Sequence, residues 1–166
     1  MNFHPLIVHF PIGLLVVYAA LEVAWLFRWG RSNNLQFTKL LLLVFGTLGA
    51  RASLQTGEIA SHLSGLQGQY RQIMELHEWF AGASTNIFAW LLVAYIVLIF
   101  GPKMPHPLIQ KLIRLVQTLQ SRYLFVIAAA LWVVCLMVTG ALGGSLVYGI
   151  EADPITKLIV PRLLSF

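Results

Sequence analysis

The chain has 166 residues, 58% of them hydrophobic and only 10% charged, against roughly 25% charged in an average soluble domain. A crossing needs about 20 apolar residues, so the chain holds at most about five spans and leaves no room for a soluble domain. A lone cysteine, Cys135, excludes a disulfide framework and a thiolate cluster, and the net charge of +5 gathers in two connections where topology explains it, so no nucleic-acid role is expected.

The first apolar run starts at Pro5, a residue tolerated at a helix start, and closes at Arg28-Trp29-Gly30. No Lys or Arg precedes it, so it lacks the basic start of a signal peptide and is expected to be retained. The second run, Leu40 to Leu54, continues through the polar Gln55 to Glu58 and is the least lipid-like. The third runs from Trp79 to Phe100 after a polar approach, and the fourth from Tyr123 to Val147. Between them Leu108, Leu112, Leu115 and Leu119 share a face beside Lys111 and Arg114, the pattern of a short helix lying in the interface. The reading is an all-α integral membrane protein, a four-helix up-down bundle with spans near 5–29, 37–62, 73–101 and 122–148.

Seven of the eleven Lys and Arg residues (Arg28, Arg31, Lys39, Lys103, Lys111, Arg114, Arg122) flank the first and third connections. Five of the six acids (Glu58, Glu75, Glu78, Glu151, Asp153) fall on the other side. The positive-inside rule then puts both termini and the second connection outside the cytoplasm, in a bacterium the periplasmic or extracellular face of the inner membrane.

Four of the five histidines, His4, His9, His62 and His77, are expected at that face, with His106 a surface residue of an inner loop. His9 and His77 start helices that run in the same direction, at similar depth. Two imidazoles facing each other across a bundle core are the arrangement that ligates a b-type haem, and no c-type attachment motif is present. Small residues on the later helices (Gly49-Ala50, Ala81-Gly82-Ala83-Ser84, Gly140, Gly143, Gly144) would let a macrocycle in, although they serve helix packing equally well. Arg51 needs an anionic partner, either a haem propionate or Glu58. Glu22 would be a proton relay or would snorkel toward Arg28 or Lys39. His4 and His9 lie about 140 degrees apart on a helix and so serve different partners, which leaves His4 with His62 for a second haem or a metal. Against all this stands the plain account of histidines as residues that tolerate the headgroup region.

His9 and Thr56-Gly57 in the first half resemble His77 and Thr139-Gly140 in the second, so the chain reads as a possible duplicated helical hairpin. The opening His4-Pro5-Leu6-Ile7-Val8-His9-Phe10-Pro11 and the close Thr139-Gly140-Ala141-Leu142-Gly143-Gly144-Ser145-Leu146-Val147-Tyr148-Gly149 resemble a bacterial family of four-span membrane proteins without assigned function. The resemblance implies a role beside cytochrome c and other redox modules, and it carries over His4, His9, Thr139, Gly140, Gly143, Gly144, Tyr148 and, more loosely, His77.

The expectation is therefore a membrane cytochrome subunit with haem b, one or two, that exchanges electrons between the quinone pool and a periplasmic cytochrome or another subunit of a redox complex. Trp79, Phe80 and Tyr148 are candidates for a quinol pocket. The alternative is a cofactor-free accessory subunit, for which the tail Ile155 to Phe166, apolar but broken by Pro161, would be an anchor. Transport ranks last, because only Asn86 approaches a polar group at mid-membrane.

Overall fold

The computed structural model describes residues 4–26, 33–121, 123–151 and 154–164. Arg28, Arg31, Arg122 and Asp153, which entered the orientation count, lie outside these residues. The described chain is helical, and four of its helices are long and apolar enough to cross a membrane.

Helix α1 (His4–Leu26) is apolar on all sides and carries Pro11 in its interior. Proline removes a helix hydrogen bond, and the ring lies against α2 (Asn33–Ser64), where a Cβ on Gly49 would come 3.1 Å from Pro11 Cβ. The polar stretch Gln55 to Ser61 stays helical, because nothing breaks α2 before Gly65. Gly65 and Gly68 take φ of +61° and +59°, a left-handed conformation glycine adopts cheaply, and turn the chain into α3 (Gln69–Phe100).

A 3-10 turn, Gly101–Lys103, leads to α4 (Pro107–Ser121). Ile113 and Val116 of α4 are buried, with Ile113 seated on Gly101, while Leu108, Leu112 and Leu115 face outward. Helix α5 (Leu124–Tyr148) follows, and then α6 (Pro154–Leu164). The C-terminal segment is thus not the broken tail expected from Pro161. Pro161 sits in the last turns of α6, where losing one hydrogen bond is tolerable, and α6 packs on α3 and α5 with Val160 and Thr156 buried.

Helix α1 packs on α2, α2 on α3, α3 on α5 and α5 on α1, while the described residues of α1 and α3 make no close backbone approach. Side chains fill the middle: Leu15, Tyr18, Leu43, Phe88, Leu91, Tyr95, Phe125 and Trp132 form one buried cluster. Leu6, Phe10, Trp90, Val134 and many other large apolar residues face outward, a surface that suits acyl chains and would be an association hazard in water. Among such helices, close packing rather than water exclusion supplies the cohesion.

Candidate functional site

Where α1 begins, α5 ends and α2 turns into α3, the four long helices enclose an open cavity of about 640 Å³. Its floor is apolar, made by Leu15, Phe88, Trp132 and Leu136, and its walls carry Ser53, Ser84 and Thr85. Glu58, His62, Arg71, Glu75 and Glu78 ring the mouth. Arg71 donates to Glu75 at 3.0 Å, an exposed pair one helical turn apart.

Besides His62 at the mouth, His4 from α1 and His77 from α3 line this cavity, near enough to interact electrostatically. Each ring is pressed against a glycine of the partner helix. A Cβ on Gly57 would stand 3.1 Å from the His4 ring, and one on Gly143 would stand 3.0 Å from the His77 ring. Ring positions this close to a backbone require glycine opposite.

Hydrogen bonds fix the tautomers. His77 Nδ1 lies 2.9 Å from the Thr139 carbonyl, which can only accept, so Nδ1 carries the proton. His4 Nδ1 lies 3.1 Å from Thr56 Oγ1, whose own proton is committed to the Ser53 carbonyl at 3.0 Å, so here too Nδ1 donates. In both neutral rings the lone pair is then on Nε2, and an Nδ1–H held by a protein oxygen is what orients a metal-ligating imidazole.

The other expected residues are distributed differently. His9 is exposed and does not line the cavity, because it lies about 140 degrees around α1 from His4. His62 stands exposed at the mouth, and the His4 ring is held by Thr56 rather than by His62. Arg51 is exposed on α2 and outside the cavity. Gly82 lines it and Gly143 supports His77, whereas a Cβ added at Gly140 or Gly144 would meet nothing within 4 Å. Trp79 and Tyr148 are exposed, Phe80 packs against the Ile73–Leu142–Val160 cluster, and Asn86 faces outward. His106 is exposed and its Nδ1 accepts from the Leu108 amide at 3.3 Å.

Toward the other end of the bundle a second polar centre is fully enclosed. Glu22 and Lys39 are each 1% exposed and paired at 3.1 Å. Glu22 therefore does not snorkel outward: Lys39 comes inward to it. The Tyr95 hydroxyl donates to the other carboxylate oxygen, and Tyr18 packs edge-on against Tyr95 and Phe88.

Among the described residues no group of three or more His, Cys, Asp or Glu side chains could hold a metal ion. A haem iron needs fewer, since the porphyrin supplies four ligands and the protein only the axial ones. His4 and His77 offer two ring nitrogens to one cavity, and the buried Ser84 Oγ, which has no hydrogen-bond partner among the described residues, lies in the same cavity wall. Sequence reasoning had Ser84 among the small residues of α3 but missed Arg71, Phe88 and Trp132 as lining residues. The usable signal was the matching of Ser53-x-x-x-Gly57 with Thr139-x-x-x-Gly143, in which Ser53 Oγ and Thr139 Oγ1 each donate to the carbonyl four residues back.

No curated protein and no solved structure matches the chain. A family model described as "Predicted membrane protein (DUF2231)" matches residues 1–153, and the chain, with its four apolar helices, belongs to that family.

Proposed function

We propose that the protein is a b-type cytochrome subunit of a bacterial inner membrane, with His4 and His77 as the axial ligands of one haem. The observation that carries this reading is the pair of imidazoles, both protonated on Nδ1 and both lining one cavity. The cavity volume lies within the roughly 300–1,000 Å³ of cofactor and ligand sites. Bound haem would supply one-electron chemistry between a quinol and a periplasmic partner. The protein's own part is to hold both rings, through Thr56 and Gly57 on one side and Thr139 and Gly143 on the other, and to keep an apolar floor beneath them. Arg71 at the mouth replaces Arg51 as the cation available to a propionate.

The ring of helix neighbours supports an up-down bundle, and its contacts support a duplicated hairpin. Leu15 lies on Gly46 as Phe88 lies on Trp132; Glu22 meets Lys39 as Tyr95 meets Phe125; His4 covers Gly57 as His77 covers Gly143. The first member of each pair shifts by 73 positions and the second by 86. In this register the counterpart of His77 is His4, not His9, and that of Gly57 is Gly143, not Gly140. Two equivalent histidines about a pseudo-two-fold axis suit a flat cofactor gripped on both faces.

The test is a reduced-minus-oxidised visible spectrum of detergent-purified protein from haem-replete cells. A sharp b-type alpha band is expected in the wild type and in His9→Ala, and its loss in His4→Ala and in His77→Ala. A colourless wild type overturns the cytochrome reading and leaves a cofactor-free accessory subunit.

A further inference from the structure

Three buried side-chain oxygens have no hydrogen-bond partner among the described residues: Ser84 Oγ, Thr47 Oγ1 and Tyr18 Oη. They come from α3, α2 and α1, and they stand at successive depths along the bundle. The two histidines over Gly57 and Gly143 set a common level, and Leu15 on Gly46 and Phe88 on Trp132 keep the helices in register eleven residues further along. At about 1.5 Å per residue, Ser84 then lies ~10 Å below the histidine level, Thr47 ~15 Å, Tyr18 ~21 Å and Glu22 ~27 Å.

Ser84 lines the cavity, and the Tyr18 hydroxyl stands close enough to Glu22 and Tyr95 to interact with both. The successive depths differ by ~5–6 Å, about the span of one water bridging two hydroxyls. Thr47 is telling, because a helical threonine or serine ordinarily bonds the carbonyl four residues back, as Ser53, Thr85 and Thr139 do here. Buried hydroxyls left without partners are costly, and internal water is the usual partner in such places. A structural Glu22–Lys39 pair requires none of these three hydroxyls to be unpaired.

We propose that Ser84, Thr47 and Tyr18, bridged by water, form a proton relay from the cavity to the buried Glu22 carboxylate. Each hop breaks one O–H bond as it forms the next, so the hydroxyls and waters are restored and one proton arrives on Glu22. The carboxylate becomes a carboxylic acid, Lys39 stays an ammonium and Tyr95 keeps its hydroxyl, so the charge of the centre rises by one. Among the described residues the groups facing Glu22 are Tyr18 from its own helix, Lys39 from α2 and Tyr95 from α3, and the Phe125 ring of α5 lies against Tyr95. The relay does not depend on what occupies the cavity.

The experiment is time-resolved infrared spectroscopy of the carboxylic C=O band after a proton pulse, on full-length protein in lipid vesicles. The Glu22 band is identified by its loss in Glu22→Gln or, should that variant not fold, by its shift in Tyr95→Phe. Tyr18→Phe and Thr47→Val are expected to slow the appearance of the band tenfold or more with an unchanged thermal midpoint. Wild-type kinetics in both variants, or no Glu22 band in the wild type between pH 4 and 9, would overturn the relay.

Discussion

Replacing Gly143 by Ala tests the histidine seat directly. The new methyl would stand 3.0 Å from His77 Cε1 and 3.3 Å from Nδ1, whereas carbon atoms rest at about 3.5–4.0 Å. The ring must retreat by roughly half an ångström to an ångström, which stretches the 2.9 Å bond to the Thr139 carbonyl past the usual limit of about 3.2 Å. That bond contributes about 0.5–1.5 kcal/mol, and crowding a packed site adds about 1–3 kcal/mol. Alanine returns about 1 kcal/mol in helix propensity. Gly144→Ala gains the same propensity with nothing within 4 Å of its new methyl. The two variants should therefore differ by about 1.5–4.5 kcal/mol, or several degrees in unfolding midpoint for a chain of this length. Tryptophan fluorescence during heating in detergent measures the midpoint, and ¹⁵N spectra of the imidazoles report whether His77 keeps its Nδ1 proton. Coincident melting of the two variants, with an unchanged His77 signal, would show that the ring is not seated on Gly143.

Glu22→Gln leaves Lys39 buried without its counter-ion and should cost about 3–5 kcal/mol; in a double-mutant cycle Glu22→Gln with Lys39→Met should recover much of that loss, and a strictly additive double variant would contradict the pair. Gly46→Ala drives a methyl into the Leu15 side chain, 2.7 Å from its Cγ, so it should lower the thermal midpoint, and Leu15→Ala in the same chain should restore part of the drop. Arg71→Ala removes an exposed pair with Glu75 and should shift stability by under about 1 kcal/mol, a measurement that also checks that Arg71 is not a structural anchor. Val160→Ala opens a gap under α6 and should cost about 1–3 kcal/mol; a neutral result would mean that α6 does not pack on α3 and α5.

The sequence by itself determined that the chain is helical and that four segments can cross a membrane, because run length and apolar composition are local properties. It also marked the amphipathic segment that becomes α4, through the leucine spacing from Leu108 to Leu115. It placed His4, His9 and His77 at one end of the bundle but did not decide which of them line the cavity, since depth along a helix can be counted from a sequence while the direction around its axis depends on which neighbours surround it. Only the tertiary structure decided that His4 turns toward Gly57 and Thr56, that Arg51 faces out, and that Lys39 comes in to Glu22 rather than Glu22 reaching outward. The apolar residues of these spans look alike on every side, so the inward face of each helix is set by a few close approaches between glycines and rings and by one buried ion pair, contacts between residues far apart in the chain.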